Sequence, residues 1–315
     1  MAVRRMKTMK YPKEVYEAVK TQVLKEAEGM RRINRVIPVS GERIDLPVGD
    51  RNVNIVLYRT EEKNRPLILG YHGGGFLFGG NAMNDALWSA VRDKLHANVA
   101  SVEYRKSPDY QWKDALDDAW DSAVYLYEHA EEYGFDPYEI SVMGCSAGAC
   151  LAASVCLYGK QQGRSLFRNQ ILMYPFLDCA TDPDSKGPGS LEGPIMYIFN
   201  DLHCQPDEVK NPLVSPVFAA PEELQGLPAA IFCESENDNL KAEGYRYEKM
   251  LREAGVPTAV TEFEKMPHGF FESGFGKISE EEMNFLGEEV KAMVRSGEIA
   301  RASEKALDFV AEHLI

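Results

Sequence analysis

The pentapeptide at residues 144–148, Gly-Cys-Ser-Ala-Gly, places one serine between two glycines. It follows a β-rich run at residues 140–143 and precedes a run of small residues with helical composition at 149–157. A sharp turn from a strand into a helix needs glycines where a Cβ would collide, and it exposes the central residue. The pattern predicts a nucleophile elbow with Ser146 at its apex, and acyl-transfer chemistry. Because a serine hydroxyl is a weak nucleophile, a base, an orienting acid and oxyanion donors must also be found.

A run of three glycines supplies candidate oxyanion donors. Residues 72–76, His-Gly-Gly-Gly-Phe, follow a short apolar run at 67–71 that is typical of a strand buried on both faces. Successive glycines at the carboxyl end of a strand can present their N–H groups without obstruction, as an anion requires. A glycine run can also be a flexible turn. Together with the elbow, it is interpreted as an oxyanion loop.

His268 is the predicted base. It follows the last predicted strand, at 258–263, and Pro267 and Gly269 shape a loop around it. An imidazole with a pKa near 6.5 can accept the serine proton and return it to the leaving group. A single loop histidine is also often a plain surface residue. The other histidines fit other positions: His72 in the glycine loop, His203 in a presumed lid, and His96, His129 and His313 in helical patterns.

Asp238 is the predicted orienting acid, because it follows a predicted strand at 229–233 and precedes His268 in the chain. A carboxylate there would fix the imidazole tautomer and stabilise the imidazolium. Glu234, Glu236 and Asp178 are rivals, and each of these carboxylates could be a solvated loop charge. The order serine, acid, histidine is one that such triads use.

The elements that must position these residues alternate along the chain. Helical patterns at 85–95, 114–132, 147–157 and 242–254 separate strands predicted at 53–58, 67–71, 98–103, 139–143, 170–174, 229–233 and 258–263. Such alternation produces right-handed βαβ units and a mostly parallel sheet. The predicted fold class is therefore α/β, a central sheet flanked by helices.

Three regions lie outside this alternation. An amphipathic helix at 11–32, ending near Gly29, and a strand at 36–39 are predicted before it, and helices around 280–294 and 302–314 after it. Residues 178–212 are rich in Pro, Gly, Asp and Ser and contain an apolar island at 195–199. They are interpreted as an excursion from the sheet that forms a lid.

The composition limits the partners and the compartment. A chain of 315 residues fits one large domain, and a net charge of −14 argues against nucleic acid and favours small, largely uncharged substrates. No apolar stretch approaches the roughly 18 residues of a membrane span, and no signal peptide is evident. The six cysteines lack Cys-x-x-Cys pairing, which favours reduced thiols over disulfides or a metal site. These features predict a cytoplasmic protein.

Seven short motifs occur in a characteristic order. They are His72-Gly-Gly-Gly, Tyr104-Arg105 with Pro108, Asp136-Pro137, Gly-x-Ser146-Ala-Gly, Asn211-Pro212-x-x-Ser215-Pro216, Asp238-Asn239-Leu240 and His268-Gly269-Phe270. In this order, from about residue 67 to 271, the chain resembles the hormone-sensitive lipase family of α/β-hydrolase carboxylesterases.

The resemblance implies roles for particular residues. Ser146 would be the nucleophile, Asp238 the orienting acid and His268 the base. The N–H groups of Gly74, Gly75 and Ala147 would form the oxyanion hole. A helical cap, here about residues 1–45 and 179–212, would cover a catalytic core of about residues 46–178 and 213–315. The resemblance also implies short acyl chains and no metal or cofactor.

The chain departs from the family pattern in three places. Cys145 stands before the nucleophile where an acidic residue is common, which puts in doubt the charge and hydrogen bonding behind Ser146. Ala149-Cys150 replaces a frequent Gly-Asn pair, and the segment 277–297 is longer than usual, with no assigned purpose. Cys145 is not expected to replace Ser146 as nucleophile, since the elbow presents its central residue.

The main hypothesis is a serine carboxylesterase that acts on short-acyl, acetyl-like esters, with an acetylated sugar or oligosaccharide as one natural substrate. An amidase or formamidase would use the same triad. A non-catalytic receptor on the same fold is disfavoured by the presence of His268. Phe76, Tyr197 and Phe199 are candidates for the substrate pocket, or for ordinary packing. The oligomeric state stays open, with a homodimer as one option.

Overall fold

The computed structural model describes residues 11–191, 194–276 and 287–315. The strands in these ranges are β1 (Glu42–Val48), β2 (Arg51–Tyr58), β3 (Arg65–Tyr71), β4 (Asn98–Val102), β5 (Phe135–Cys145), β6 (Asn169–Met173), β7 (Ala229–Asn237) and β8 (Thr258–Pro267). The helices are α1 (Lys13–Val36), α2 (Asp85–Leu95), α3 (Trp112–Glu128), α4 (Ala130–Tyr133), α5 (Ala147–Gln161), α6 (Ile195–His203), α7 (Pro221–Leu224), α8 (Lys241–Glu253), α9 (Phe270–Ser273), α10 (Glu288–Arg295) and α11 (Glu298–His313).

The strands form one eight-stranded sheet in the order β1-β2-β4-β3-β5-β6-β7-β8. The pairs β1/β2 and β2/β4 are antiparallel, and the other neighbouring pairs are parallel. The predicted α/β class with a mostly parallel sheet is confirmed. Because parallel strands end at one edge, the loops after β3, β5, β7 and β8 meet there.

Apolar side chains cover both faces of the sheet. Along β3, Leu67 and Leu69 pack on the face that carries α3, α5 and α8, whereas Ile68 packs on the face that carries α2 and α11. This is the period of two that an extended strand imposes on its side chains. The two apolar layers hold the strand ends, and hence the loops that follow them, in fixed positions.

The first helix differs from its prediction. The expected end near Gly29 is wrong, because α1 continues to Val36, and the predicted strand at 36–39 is also wrong. A helical glycine costs only about 1 kcal/mol relative to alanine, and contacts beyond it outweigh that cost. Asn34 is buried and donates to Glu103, and the Arg43 guanidinium donates to the carbonyls of Asn34 and Ile37 at 2.8 and 2.9 Å.

The excursion after β6 contains one turn of 3₁₀ helix, Pro183–Ser185, and the apolar helix α6. The Tyr16 hydroxyl of α1 donates to the Asp201 carboxylate of α6 at 2.9 Å, which joins the first helix to the excursion. Residues 1–10 and 192–193 of the predicted cap lie outside the described residues.

The C-terminal helices are partly as predicted. The helix expected at 280–294 falls partly on residues 277–286, outside the described residues, and α10 covers Glu288–Arg295. The helix expected at 302–314 begins earlier, at Glu298, after Gly297 with a φ of 72°. Among the helices of the described ranges, none is long and apolar enough to cross a bilayer.

Candidate active site

Ser146 lies in the turn that joins β5 to α5. Its φ of 53° and ψ of −115° are a strained combination for a residue with a side chain. Cβ atoms on the flanking glycines would collide with backbone, that of Gly144 with the Gly148 carbonyl and that of Gly148 with the Tyr71 carbonyl. The Ser146 N–H donates to the Met173 carbonyl of β6 at 2.9 Å, which anchors the strained turn to the neighbouring strand.

Sheet register brings Asp238 and His268 together. Asn237 at the end of β7 pairs with Pro267 at the end of β8, so the next residue of each strand enters adjacent loops. His268 Nδ1 lies 2.7 Å from Asp238 Oδ2, and His268 Nε2 lies 2.8 Å from Ser146 Oγ. Asp238 also accepts the Leu240 N–H at 2.9 Å, which fixes its carboxylate.

These contacts determine which imidazole nitrogen can act as a base. With Nδ1–H donating to the Asp238 carboxylate, Nε2 of neutral His268 is left to accept the Ser146 hydroxyl proton. Burial lowers the pKa of His268, but the charge of Asp238 and the hydrogen bond to it raise the pKa by more, so the net shift is upward. Asp238 therefore favours the imidazolium, as a general base needs after it takes a proton.

Among the described residues, the rival carboxylates bind groups other than His268 or accept no hydrogen bond. Asp178 accepts the N–H groups of Ala180 and Thr181 at 2.8 Å, and Glu236 accepts the Lys265 N–H at 2.7 Å. Glu234 is fully buried in β7, and burial raises the pKa of its carboxyl well above the usual range. Of the four acids considered from sequence, Asp238 is the one that contacts His268.

The glycine loop leaves two amides free. Gly74 and Gly75 have φ values of 114° and 61°, which side-chain-bearing residues rarely adopt, and the Gly74 carbonyl accepts the N–H groups of Leu77 and Phe78. The N–H groups of Gly74, Gly75 and Ala147 donate to no acceptor within the described ranges. Ala147 is the first residue of α5, where the helix dipole adds partial positive charge.

The three pocket candidates have different surroundings. Phe199 of α6 lies against the glycine loop, since a Cβ on Gly75 would fall 2.5 Å from its ring. Phe76 stacks on His203 with ring centroids 3.7 Å apart. Tyr197 donates to Asp182 at 2.6 Å and lines a small cavity of about 120 Å³ in the excursion. Of these three, Phe199 is the side chain placed against the predicted oxyanion donors.

Two contacts of the site had escaped the sequence reasoning. Ser190, in the excursion, accepts the His268 N–H at 2.8 Å. Glu272, in α9, accepts the Gly73 N–H at 2.9 Å. A carboxylate four residues after His268 was the available sequence signal for Glu272, and Ser190 offered none.

All six cysteine side chains are buried. Burial raises the pKa of Cys145 well above its usual value, which disfavours the thiolate that a cysteine nucleophile needs. No cluster of three or more His, Cys, Asp or Glu side chains that could hold a metal ion occurs in the part of the chain that the structure describes.

Comparison with known proteins assigns the chain to a family. The family described as alpha/beta hydrolase fold matches residues 68–272. Esterase LipI of Mycobacterium tuberculosis is 30% identical over 237 residues, which cover 72% of this chain and 73% of the relative. An arylesterase of Saccharolobus solfataricus is 29% identical, with coverage of 74% and 78%.

Solved structures agree with the sequence relatives. An esterase of Pyrobaculum calidifontis superimposes with a TM-score of 0.76 at 25% identity, covering 100% of this chain and 99% of its own. The metagenomic carboxylesterase EstE1 gives a TM-score of 0.73 at 26% identity, covering 93% and 97%. The chain belongs to the hormone-sensitive lipase-like carboxylesterases of the α/β-hydrolase fold. It is a carboxylic-ester hydrolase.

Proposed function

We propose that the chain hydrolyses short-acyl, acetyl-like esters of small alcohols through an acyl-enzyme on Ser146. The observation that carries this proposal is the continuous hydrogen-bonded chain from Asp238 through His268 to Ser146, with contacts of 2.7 and 2.8 Å. Such a chain generates a nucleophile at neutral pH and returns the proton to the leaving group.

The reaction proceeds in two halves. His268 Nε2 accepts the Ser146 proton as Oγ attacks the ester carbonyl, and the oxyanion accepts the free N–H groups of Gly74, Gly75 and Ala147. The tetrahedral intermediate then collapses, and the alcohol leaves with the proton from His268. In the second half, His268 deprotonates a water molecule that attacks the acyl carbonyl. It then returns the proton to Ser146 Oγ as the bond from the acyl carbon to Oγ breaks and the carboxylic acid leaves.

A cap contributed by α1 and the excursion supports a short-acyl preference. Residues 189–191 of the excursion lie against the loop of Asp238, since the Leu191 N–H donates to Asn239 Oδ1 at 2.9 Å. Phe199 of the same excursion restricts the space beside Gly75. The proposed cap comprises about residues 1–45 and 179–212, on a core of about 46–178 and 213–315. The buried thiols are consistent with a reducing, cytoplasmic compartment.

The test is an ester panel. Wild-type protein is assayed with p-nitrophenyl acetate, butyrate and octanoate and with acetylated sugars, beside Ser146→Ala and the matched control Ser154→Ala. Ser154 lies on the same helix, within 3.9 Å of Cys150 Sγ. We expect acetate and butyrate to be preferred, the Ser146 variant to be inactive and the control to retain activity. An inactive wild type that also escapes fluorophosphonate labelling would favour a binding-only role, and turnover of amides alone would favour an amidase.

A further inference from the structure

Glu272 lies between two loops of the site. It follows His268 by four residues, on the short helix α9, and its side chain is partly buried. Its Oε1 accepts the Gly73 N–H at 2.9 Å and the Asn84 side-chain amide at 2.8 Å. Its own N–H donates to the Tyr174 hydroxyl at 3.2 Å. One carboxylate thus joins the segment that carries His268 to the glycine loop.

The contact with Gly73 determines how the glycine loop is oriented. Gly73 immediately precedes Gly74 and Gly75, whose N–H groups are free. A Cβ on Gly73 would lie 2.5 Å from Glu272 Oε2 and 3.2 Å from the Cys145 carbonyl, so the carboxylate occupies the space that a side chain would need. Because the Gly73 N–H is held by Glu272, the peptide units that follow are fixed before substrate arrives.

The charge of Glu272 also acts on His268. Burial has the largest effect on the pKa of His268 and lowers it. Asp238 raises this pKa most, and the charge of Glu272 raises it further. The titratable groups that face His268 are Asp238 after β7, Glu243 of α8, Glu272 of α9 and Tyr174 after β6, whose ring centroid lies 4.9 Å from that of His268. Those that face Glu272 are His268, Tyr174 after β6, Cys145 of the elbow and Tyr104 after β4.

Burial raises the pKa of Glu272, and the opposing contributions come from the Gly73 N–H, the Asn84 amide, the charge of His268 and the Tyr174 hydroxyl. Each of these partners favours the ionised carboxylate of Glu272 over the protonated acid. His268 is the predicted base, and Gly73 precedes the predicted oxyanion donors. Tyr174 contacts both groups, because its hydroxyl accepts the Glu272 N–H at 3.2 Å and its ring packs edge-on against His268. When His268 gains its proton during the reaction, the nearby carboxylate and the imidazolium stabilise each other.

We propose that Glu272 is a positioning residue for hydrolysis, one that holds the glycine loop through Gly73 and stabilises the protonated imidazole of His268. The proposal rests on the proposed function, since it assigns Glu272 a part in the same site. The carboxylate of Glu272 lies near Cys145, the uncharged residue that precedes Ser146, since the Cβ position of Gly73 is 2.5 Å from Glu272 Oε2 and 3.2 Å from the Cys145 carbonyl.

Two substitutions separate the two parts of this role. Glu272→Gln keeps an oxygen that can accept the Gly73 N–H but removes the charge, whereas Glu272→Ala removes both. For Glu272→Ala we expect kcat on p-nitrophenyl acetate to fall about tenfold to a hundredfold with little change in KM, less than the 10²–10³ typical of deleting a donor outright. For Glu272→Gln we expect a smaller loss in kcat.

The pH profile is the readout that a purely structural role would not change. Loss of the negative charge lowers the pKa of His268, so the acid limb of kcat/KM in Glu272→Gln should move to lower pH than in wild type. The matched control is Glu236→Gln, which removes another carboxylate that accepts a backbone N–H, that of Lys265. We expect its kinetics to equal those of wild type.

A measurement without turnover distinguishes this proposal from the proposed function. In a Ser146→Ala background, NMR titration of His268 should give a lower pKa when Glu272→Gln is added. The role of Glu272 would be overturned, and the proposed function kept, by the following result. Wild type is active, Glu272→Gln shifts neither the acid limb nor the His268 titration, and Glu272→Ala has normal kcat. If circular dichroism shows that Glu272→Ala does not fold, the acid limb and the His268 titration of Glu272→Gln test the proposal. A wild type inactive on every ester would instead overturn the proposed function.

Discussion

The ring of Phe199 occupies the space that a side chain on Gly75 would need. A Cβ on Gly75 would lie 2.5 Å from three atoms of that ring, so helix α6 of the excursion packs directly on the glycine loop. The proposed cap therefore contacts the predicted oxyanion donors, and changes at Gly75 or Phe199 should alter the kinetics.

Gly75→Ala should lower kcat by about 10²–10³, because the new Cβ and the positive φ of 61° displace an N–H donor. The measurement is kcat on p-nitrophenyl acetate. Gly49→Ala is the control, since Gly49 has a φ of 60° with no atom within 4 Å of its Cβ position. That variant should lose about 1–2 kcal/mol of stability and keep its kinetics. A folded Gly75→Ala protein with normal kcat would contradict the donor assignment.

Phe199→Ala should broaden the acyl specificity. Removing the ring opens space beside Gly75, so kcat/KM for the octanoate ester should rise relative to acetate by about tenfold, within the range for small changes in an apolar pocket. Phe309→Ala is the control, because Phe309 lies on α11 at the opposite face of the sheet. Its ratio of octanoate to acetate kcat/KM should equal that of wild type. An unchanged ratio in Phe199→Ala would place the acyl group elsewhere.

Asp238→Asn should reduce kcat by about 10⁴, as expected when the carboxylate that sets the imidazole tautomer is lost. Asp178→Asn is the matched control, because Asp178 was a candidate from sequence and its carboxylate accepts the Ala180 and Thr181 N–H groups instead. We expect that variant to keep near-normal kcat. Equal losses in both variants would indicate a general structural effect.

Glu243 should make stability depend on pH. Its carboxylate accepts the Leu177 N–H at 2.7 Å and pairs with Lys186 at 2.6 Å, and burial raises its pKa from 4.5 to about 7. Because the folded protein holds this proton more tightly, the stabilisation is full below pH 4.5 and is lost as pH rises towards 7, by about 3 kcal/mol.

Denaturant unfolding of wild type and Glu243→Gln between pH 5 and 8 measures this effect. The free energy of unfolding of wild type should fall across that interval, and that of Glu243→Gln should fall much less. Glu253→Gln serves as the control, because Glu253 forms an exposed pair with Lys249 and should leave the pH profile unchanged. Parallel profiles for wild type and Glu243→Gln would show that another group titrates.

The sheet and the serine, acid and histidine positions were accessible from sequence because each has a local cause. Period-two apolar runs define strands, and glycines at 144 and 148 are required by a turn in which a Cβ would meet backbone. The choice of Asp238 over its rivals followed from the strand end that precedes it, and sheet register then pairs that end with the residue before His268.

The features that sequence missed depend on distant contacts. The continuation of α1 past Gly29 is stabilised by two contacts from outside the helix. Asn34 donates to Glu103, 69 residues later, and Arg43, which follows the helix in β1, donates to the Asn34 carbonyl. The contact of Glu272 with Gly73 spans 199 residues, so the spacing of Glu272 from His268 does not predict its partner. The surroundings of Tyr197 likewise depend on the fold of the excursion, where the Asp182 carboxylate accepts a hydrogen bond from the Tyr197 hydroxyl.

The burial of all six thiols has a practical consequence for Cys145, the neighbour of Ser146. An alkylating reagent such as iodoacetamide can reach that sulfur only when the elbow and the strands around it separate. The rate of its modification therefore measures how often the proposed catalytic centre opens in the absence of substrate. A ligand that binds there should slow the labelling in proportion to its occupancy.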